Sequence, residues 1–326
     1  MARRLEISHR RVRTIDLFCG AGGSSWGARL AGAEIVAGFD RSPVAGLAYK
    51  ANFPEASFYE GLLEQHRISG LRRQLGKIDL LLASPECTNH SPAKGNSPRC
   101  EASKDTAFQV VRFADVFKPR WVVIENVINM RNWTRYQEFL EAMGSLGYYM
   151  HEAVLDSSHF GVPQKRRRLF LTFDRQLPPS QSRRPSRSIV PASSVILKNA
   201  GYKYSLLRTA NRATSTVERA DRAIEAIGNR RSFLLVYYGS DHSGGWQRLS
   251  QPLRTITTLD RFAYVKVAKS QHYMRMLQVP ELKAAMGMPK KFSVQASSRR
   301  DSIRLVGNAV CPPVMRSVVK NLSRAA

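Results

Sequence analysis

The chain has 326 residues, of which 43% are hydrophobic, so it can bury a large packed core and is unlike a disordered or fibrous protein. Its 51 lysine and arginine residues outnumber 25 aspartate and glutamate residues, which gives a formal net charge of +26. A charge of this size attracts polyanions, and we expect a nucleic acid as the partner, although an anionic membrane surface would satisfy the same charge.

Between residues 12 and 127, short apolar runs alternate with longer amphipathic stretches. This alternation predicts the strands and helices of a parallel α/β sheet. The predicted strands are VRTIDLF (12–18), EIVAGFD (34–40), KIDLLLASP (77–85) and WVVIENV (121–127). The predicted helices are SSWGARLAG (24–32) and AFQVVRFADVF (107–117). The nearly continuous apolar character of the last two strands indicates a central position, covered on both faces.

The composition changes near residue 175, where the stretch QLPPSQSRRPSRSIVPASS predicts a loop or linker. The segment from Arg183 to about Gln247 is strongly basic and carries interspersed tyrosines, which indicates a second, smaller domain. From Leu249 onward, two segments (273–289 and 299–322) space their apolar residues like helices and predict a return to the first domain. We therefore expect a first domain at 1–174, a second, basic domain at 175–248 and a segment at 249–326 that returns to the first domain.

No run of about 18 apolar residues could span a membrane, and the first residues lack the apolar core of a signal peptide. We therefore expect a cytoplasmic protein. The cysteines form no CxxC pair and the histidines have no ligand spacing, so we predict reduced thiols and no metal. Cys19 and Cys311 have apolar surroundings and are expected to be buried. The two other cysteines are Cys87 and Cys100, and the histidines without ligand spacing are His90, His159 and His242.

A glycine-rich turn, DLFCGAGG (Asp16 to Gly23), follows the first predicted strand, and Ser24 is expected to cap the helix after it. Glycines let a ligand approach the backbone closely, and open α/β sheets bind nucleotides at the carboxyl ends of their strands. The spacing is neither GxGxxG nor a phosphate-binding GxxxxGKS, which favours a nucleoside without pyrophosphate. A tight turn without a ligand remains the alternative.

Asp40 ends the second predicted strand, about twenty residues after the glycines, where a ligand with a ribose diol needs a carboxylate. The alternative is that Asp40 caps a helix starting at Ser42. Phe18 can stack on a base or belong to the core.

Three further groups are predicted at the carboxyl ends of later strands. Cys87 follows the strand that ends at Pro85 and heads a basic loop, where we place a nucleophile rather than a structural thiol. Glu125 reaches the same edge and can hydrogen-bond or protonate a ring nitrogen. In QKRRRLF, alternation puts Arg166 and Arg168 on one side of a strand to hold a carbonyl oxygen or phosphate; a solvated basic run is the alternative.

These motifs, together with RTITT (254–258) and GNAVCPPV (307–314), occur in the order found in DNA cytosine-5 methyltransferases, which the chain resembles from about Thr14 to Lys320. The resemblance implies an α/β, Rossmann-like S-adenosylmethionine-dependent methyltransferase fold, with a mixed seven-stranded sheet and a small target-recognition domain. It implies double-stranded DNA as the partner, in a bacterial or phage-infected cell and associated with the nucleoid. It leaves open whether a companion restriction endonuclease exists.

The resemblance also implies roles for individual residues. Cys87 would attack C6 of a flipped-out cytosine, Glu125 would contact N3 and the amino group, and Arg168 would bind O2. Arg166 would support the loop or nearby phosphates. The loop at 88–100 would close over the base. The residues implied to bind S-adenosylmethionine are Phe18, Gly20, Gly22, Gly23, Asp40, Glu60, Pro85, Asn308, Ala309 and Val310.

The chain departs from the family pattern beside the nucleophile. Most members have proline directly before the cysteine, whereas Glu86 intervenes here and Thr88 follows. An anion at this position would raise the pKa of the thiol. Two alternatives share the fold: a transfer-RNA cytosine-5 methyltransferase, which also has an extra residue there, and a catalytically silent DNA-binding homologue.

Overall fold

A computed structural model describes residues 11–85, 106–180, 188–238 and 245–324. These residues form two compact units. The first unit lies within 1–154, 168–183 and 315–326, and the second lies within 155–167 and 184–314.

The first unit is built on a seven-stranded sheet with the strand order β3-β2-β1-β4-β5-β7-β6. The strands are β1 (Arg13–Leu17), β2 (Glu34–Asp40), β3 (Ser57–Glu60), β4 (Leu80–Ala83), β5 (Trp121–Asn126), β6 (Tyr149–Asp156) and β7 (Arg167–Asp174). The helices are α1 (Gly23–Leu30), α2 (Pro43–Asn52), α3 (Ile68–Leu75), α4 (Thr106–Phe117) and α5 (Tyr136–Ser145).

The first five strands run parallel, and β7 is antiparallel to β5. The predicted mixed seven-stranded sheet is therefore confirmed. The strand order reverses between β1 and β4, so the carboxyl ends of these two strands flank a topological switch point, where open α/β sheets bind ligands.

Apolar side chains cover both faces of the central strands, as the sequence predicts. Every residue of β4 and β5 is buried. Phe39 on β2 makes an edge-to-face contact with Phe113 on α4, with ring centroids 5.4 Å apart, and is buried completely. Because this packing fixes the strands, the residues that follow their carboxyl ends have a rigid support.

The second unit contains an antiparallel five-stranded sheet with the strand order β10-β9-β11-β12-β8. Its strands are β8 (Ser205–Leu206), β9 (Phe233–Val236), β10 (Trp246–Arg248), β11 (Phe262–Ala268) and β12 (Gln271–Met276). Its helices are α6 (Thr214–Ile227), α7 (Val279–Ala285) and α8 (Arg299–Asn308), and α9 (Pro312–Arg324) ends the described chain. Helix α6 contributes Ala220 and Ala223 to the apolar cluster of this unit.

Part of the helical prediction for 273–289 is wrong, because Gln271–Met276 is a strand paired with β11. The hairpin turns at Lys269 and Ser270, which both have positive φ values of 48° and 59°. Such a turn matches the twist of the two strands. Asn-Gly or Asp-Gly is its usual sequence signal, and Lys-Ser carries none.

The compact units also divide the chain differently from the predicted boundaries at 174 and 248. Residues 249–314 cluster with the second unit, and only 315–326 cluster with the first. The physical reason is that β11 and β12 are strands of the same sheet as β9 and β10.

Among the helices that the structure describes, none is long and apolar enough to cross a membrane.

Candidate active site

The glycine-rich turn after β1 has an unusual backbone. Phe18, Gly20 and Gly22 have φ values of 56°, 54° and 90°, in the left-handed region. A Cβ at Gly22 would lie 2.3 Å from the ring of Phe53, whereas a Cβ at Gly20 would meet no described atom within 4 Å. Gly22 is therefore needed for packing, and Gly20 leaves open space beside the backbone.

Helix α1 begins at Gly23, and its N-cap residue, Gly22, has no side chain that could cap it. The prediction that Ser24 caps this helix is therefore wrong. Ser25 instead donates hydrogen bonds to Oδ2 of Asp16, from its backbone nitrogen at 3.1 Å and from Oγ at 2.6 Å. A buried carboxylate on β1 thus satisfies an amide in the first turn, which is the task of a cap.

Asp40 links the end of β2 to the glycine-rich turn. Its Oδ2 accepts a hydrogen bond from the amide of Gly20 at 2.9 Å, and its Oδ1 accepts one from the amide of Ser42 at 2.8 Å. The N-cap of α2 is Ser42, whose Oγ accepts from the amide of Ala45, so Asp40 is not the cap. Burial raises the pKa of Asp40, and the two amides act in the opposite direction.

Glu60 stands beside Asp40 at the same edge of the sheet. The two residues are register partners of β3 and β2, and Glu60 is exposed. The amide of Gly61 donates to the backbone carbonyl of Asp40 at 3.2 Å. Two carboxylates thus follow the carboxyl ends of neighbouring parallel strands.

The end of β4 is tied to the end of β5. Nδ2 of Asn126 donates a hydrogen bond to the carbonyl of Pro85 at 3.3 Å, and both residues are buried. Asn126 was missed as a site residue, although it stands inside the ENV motif. Cys87, with Glu86 and the predicted loop at 88–100, lies outside the described residues, so the described chain stops two residues before the predicted nucleophile.

Glu125 and Arg168 are brought together in the first unit. Oε1 of Glu125 lies 3.4 Å from Nε of Arg168. Glu125 is 6% exposed, and Arg168 is half-buried. The contact arises because β5 and β7 are antiparallel neighbours, with Asn126 opposite Leu169. An ion pair formed largely out of water aligns the carboxylate of Glu125 with the guanidinium of Arg168.

Arg166 makes a different set of contacts, which join parts of the second unit. It is 4% exposed, and its guanidinium donates to the carbonyls of Ile256 at 3.0 Å, Gly307 at 2.9 Å and Ala309 at 3.2 Å. It thus joins the RTITT segment to the end of α8. Arg167 is exposed, so burial alternates along this basic run as the sequence predicts.

Two other residues reinforce the same junction. Oε1 of Gln164 accepts a hydrogen bond from the amide of Ile256 at 2.8 Å, and its Nε2 donates to the carbonyl of Ala285 at 3.2 Å. A Cβ on Gly307 would lie 2.2 Å from the carbonyl oxygen of Thr257, so only glycine allows this close approach. Sequence reasoning missed Gln164, because its partners lie far along the chain.

The predicted cofactor residues near the C-terminus lie in the second unit, whereas the others lie in the first. Helix α8 ends at Asn308, which is exposed, and Ala309 and Val310 are buried. Cys19 and Cys311 are buried free thiols, as predicted. Within the described ranges, no three His, Cys, Asp or Glu side chains are grouped to hold a metal; His90 and His242 lie outside those ranges.

The family model of C-5 cytosine-specific DNA methylases matches residues 12–324. Type II methyltransferase M.MspI from Moraxella sp. is 25% identical over 321 residues, covering 95% of this chain and 70% of that protein. M.AgeI from Thalassovita gelatinovora is 31% identical over 167 residues, 49% of this chain, and the match spans only 39% of M.AgeI. The match with M.HindV from Haemophilus influenzae spans 52% of that protein, so the chain spans about half of its length.

Solved structures show the same fold. A mutant of DNMT2 from Spodoptera frugiperda superposes with a TM-score of 0.71 at 18% identity, covering 95% of this chain and 99% of that one. The chain therefore belongs to the C-5 cytosine-specific DNA methylase family.

Proposed function

We propose that the protein transfers a methyl group from S-adenosylmethionine to C5 of a cytosine flipped out of a specific sequence in duplex DNA. The observation that carries this proposal is the Glu125–Arg168 pair, whose atoms lie 3.4 Å apart beside the end of β5. Strand β4, which is the parallel neighbour of β5, leads to Cys87. The carboxylate and the guanidinium of this pair match groups that a cytosine ring requires, and the thiol assigned as the nucleophile follows β4 in the sequence.

S-adenosylmethionine is the methyl donor of this family, and the glycine-rich turn fits it. The open space beside Gly20 lets a ligand approach the backbone. Each oxygen of Asp40 accepts one amide hydrogen bond, and a carboxylate oxygen has a further lone pair that can accept from a ribose hydroxyl. Phe18 directly follows β1, and Glu60 is the register partner of Asp40 on β3; we assign both to the adenine.

The remaining cofactor residues are assigned by the motifs. Gly22, Gly23 and Pro85 are assigned to S-adenosylmethionine binding by the glycine-rich and Pro-x-Cys motifs, and Asn308, Ala309 and Val310 are assigned to it by the GNAV motif. When bound, S-adenosylmethionine supplies an electrophilic methyl group.

The protein side chains make the target carbon reactive. Addition of the Cys87 thiolate to C6 forms a sulfur–carbon bond and moves the C5–C6 electron pair onto C5, which is otherwise not nucleophilic. Glu125 hydrogen-bonds N3 and the exocyclic amino group, and Arg168 donates to O2, so both stabilise charge that develops in the ring. After C5 carries the methyl group, its proton leaves, the double bond reforms and the thiolate is released.

Duplex DNA is the substrate that the charge distribution favours. The second unit exposes many basic side chains, suited to phosphates and guanine edges. The exposed members among its described residues are Lys165, Arg167, Lys198, Lys203, Arg208, Arg230, Arg231, Arg248, Lys269, Lys290, Lys291, Arg299, Arg300 and Arg304. Because C5 of cytosine is stacked inside a duplex, the base must leave the helix to reach the site. A companion restriction endonuclease is part of the proposal, since the relatives are type II methyltransferases.

The experiment is sequencing-based mapping of 5-methylcytosine in plasmid DNA from cells expressing the wild type, Cys87→Ala or Cys100→Ala. Cys100 is the matched control, because it is the other cysteine in the segment that follows β4. We expect marks at one sequence motif with the wild type and Cys100→Ala, and none with Cys87→Ala. Methyl marks in RNA and none in DNA would indicate a transfer-RNA cytosine-5 methyltransferase. Marks in DNA that survive Cys87→Ala would contradict the assigned nucleophile.

A further inference from the structure

A chain of buried hydrogen bonds runs beneath the glycine-rich turn. Oδ2 of Asp16, on β1, accepts hydrogen bonds from the amide and the hydroxyl of Ser25, at the start of α1. Oγ of Ser25 lies 3.0 Å from the hydroxyl of Tyr49, on α2. Since the Ser25 hydroxyl donates to the carboxylate, the Tyr49 hydroxyl donates to Ser25. All three residues are fully buried, with 0% exposure.

The ring of Tyr49 connects this chain to the turn itself. A Cβ built on Gly38 would lie 2.3 Å from Cζ of Tyr49, so the ring lies directly over Gly38, the register partner of Asp16 on β2. A Cβ on Gly22 would lie 3.1 Å from Cδ2 of the same ring. Tyr49 therefore contacts the turn at Gly22 and meets Ser25 through its hydroxyl.

The turn needs such support, because its backbone is strained. Phe18 has a φ of 56°, which costs a residue with a Cβ about 1 kcal/mol or more. Other contacts must therefore hold the backbone in this conformation. Several described contacts hold the turn. The amide of Gly20 donates to Asp40, and Nδ2 of Asn52 donates to the carbonyl of Ala21 at 2.9 Å. The rings of Tyr49 and Phe53 lie beside Gly22.

We infer that Tyr49 and Asp16 are positioning residues, which act through Ser25 to hold the glycine-rich turn in the conformation that binds S-adenosylmethionine. This inference rests on the proposed function, which places the cofactor at that turn. Neither Tyr49 nor Asp16 needs to touch the cofactor. They change the affinity of the protein for S-adenosylmethionine through the backbone of Gly20 and Gly22.

The test measures the Kd for S-adenosylmethionine by calorimetry, with KM and kcat on DNA. Tyr49→Phe keeps the ring and removes only the hydroxyl. The matched control is Tyr148→Phe, because Tyr148 is also buried in the first unit and donates from its hydroxyl, to the carbonyl of Pro119 at 2.6 Å. We expect Tyr49→Phe to raise Kd and KM for S-adenosylmethionine about five- to tenfold, the worth of one buried hydrogen bond, with kcat at saturation unchanged.

A double-mutant cycle tests the connection through Ser25. Ser25→Ala breaks the same chain at its centre, so we expect a similar rise in Kd and no further rise in the double variant with Tyr49→Phe. Equal Kd values for Tyr49→Phe, Tyr148→Phe and the wild type would overturn the inference and leave the proposed function standing. Failure of the wild type to bind S-adenosylmethionine would instead overturn the cofactor assignment, and the inference with it.

Discussion

Oε1 of Glu125 and Nε of Arg168 lie 3.4 Å apart, although the two residues are far apart in the sequence. Strand β7 enters the sheet antiparallel to β5 and so carries an arginine to a carboxylate at the end of its neighbour. The carboxylate is 6% exposed, so the pair interacts more strongly than an ion pair in water. In the proposed reaction, Glu125 would contact N3 and the amino group of the cytosine, and Arg168 would contact its O2.

Removal of either member of this pair should slow methyl transfer without abolishing DNA binding. We expect Arg168→Ala and Glu125→Gln each to lower the single-turnover rate at saturating substrate by about 100-fold, the usual cost of losing one group that stabilises developing charge. Arg167→Ala is the control, because Arg167 is the exposed neighbour in the same basic run. A comparable loss in the Arg167 variant would show that the run acts through its overall charge.

Sequence patterns predict the parts of this molecule that local physics determines. The buried strands and the amphipathic helices of the first unit follow from apolar spacing, and Asp40 and Glu125 follow from the rule that ligands gather at strand ends. The hydrogen-bond partners of Ser25, Tyr49 and Asn126 were not predictable, because they depend on how distant elements meet.

Arg166 illustrates the same limit. Its residue type and its place beside Arg168 favour a catalytic interpretation, whereas its described donors go to the backbone carbonyls of Ile256, Gly307 and Ala309. The Lys269–Ser270 hairpin was missed for another reason, since it adopts its turn without the residues that favour positive φ.

Arg166→Ala should therefore act first on stability. Its loss would leave three carbonyl groups without their donor in a buried place, which we expect to cost about 3 kcal/mol of unfolding free energy, measured by urea unfolding. Arg167→Ala again serves as the control and should change stability by less than about 0.5 kcal/mol. If Arg166→Ala kept full stability and lost only activity, Arg166 would belong to the catalytic group.

The two glycines of the turn should respond differently to alanine. Gly22→Ala places a Cβ 2.3 Å from the Phe53 ring, so we expect it to destabilise the first unit by several kcal/mol, seen as a lower thermal unfolding midpoint. Gly20→Ala has room for the methyl group, and the left-handed backbone at φ 54° limits its cost to about 1 kcal/mol. That methyl group would enter the proposed cofactor space, so we expect Gly20→Ala to weaken S-adenosylmethionine binding far more than it lowers stability.

Asp16 should make the stability of the first unit depend on pH. Burial, with a smaller contribution from Asp40, raises its pKa from the ordinary 3.8 to about 7. Below about pH 4 the carboxyl group is protonated in both states, and between pH 4 and 7 the folded state holds more protons than the unfolded one. The free energy of unfolding should therefore fall by about 4 kcal/mol as pH rises through this range, and it should level off above it. This size follows from the shift in pKa at about 1.4 kcal/mol for each pKa unit.

Asp16→Asn isolates this dependence, because the amide is isosteric, can still accept from Ser25 and does not titrate. The other titratable groups around Asp16 are Cys19, Tyr49 and Asp40, and they are the same in both proteins. Burial raises the pKa values of Cys19 and Tyr49 well above their ordinary values, so both stay neutral throughout the range. We expect urea unfolding between pH 4.5 and 8 to show the wild type losing stability relative to Asp16→Asn as pH rises. Parallel curves for the two proteins would mean that folding does not raise the pKa of Asp16.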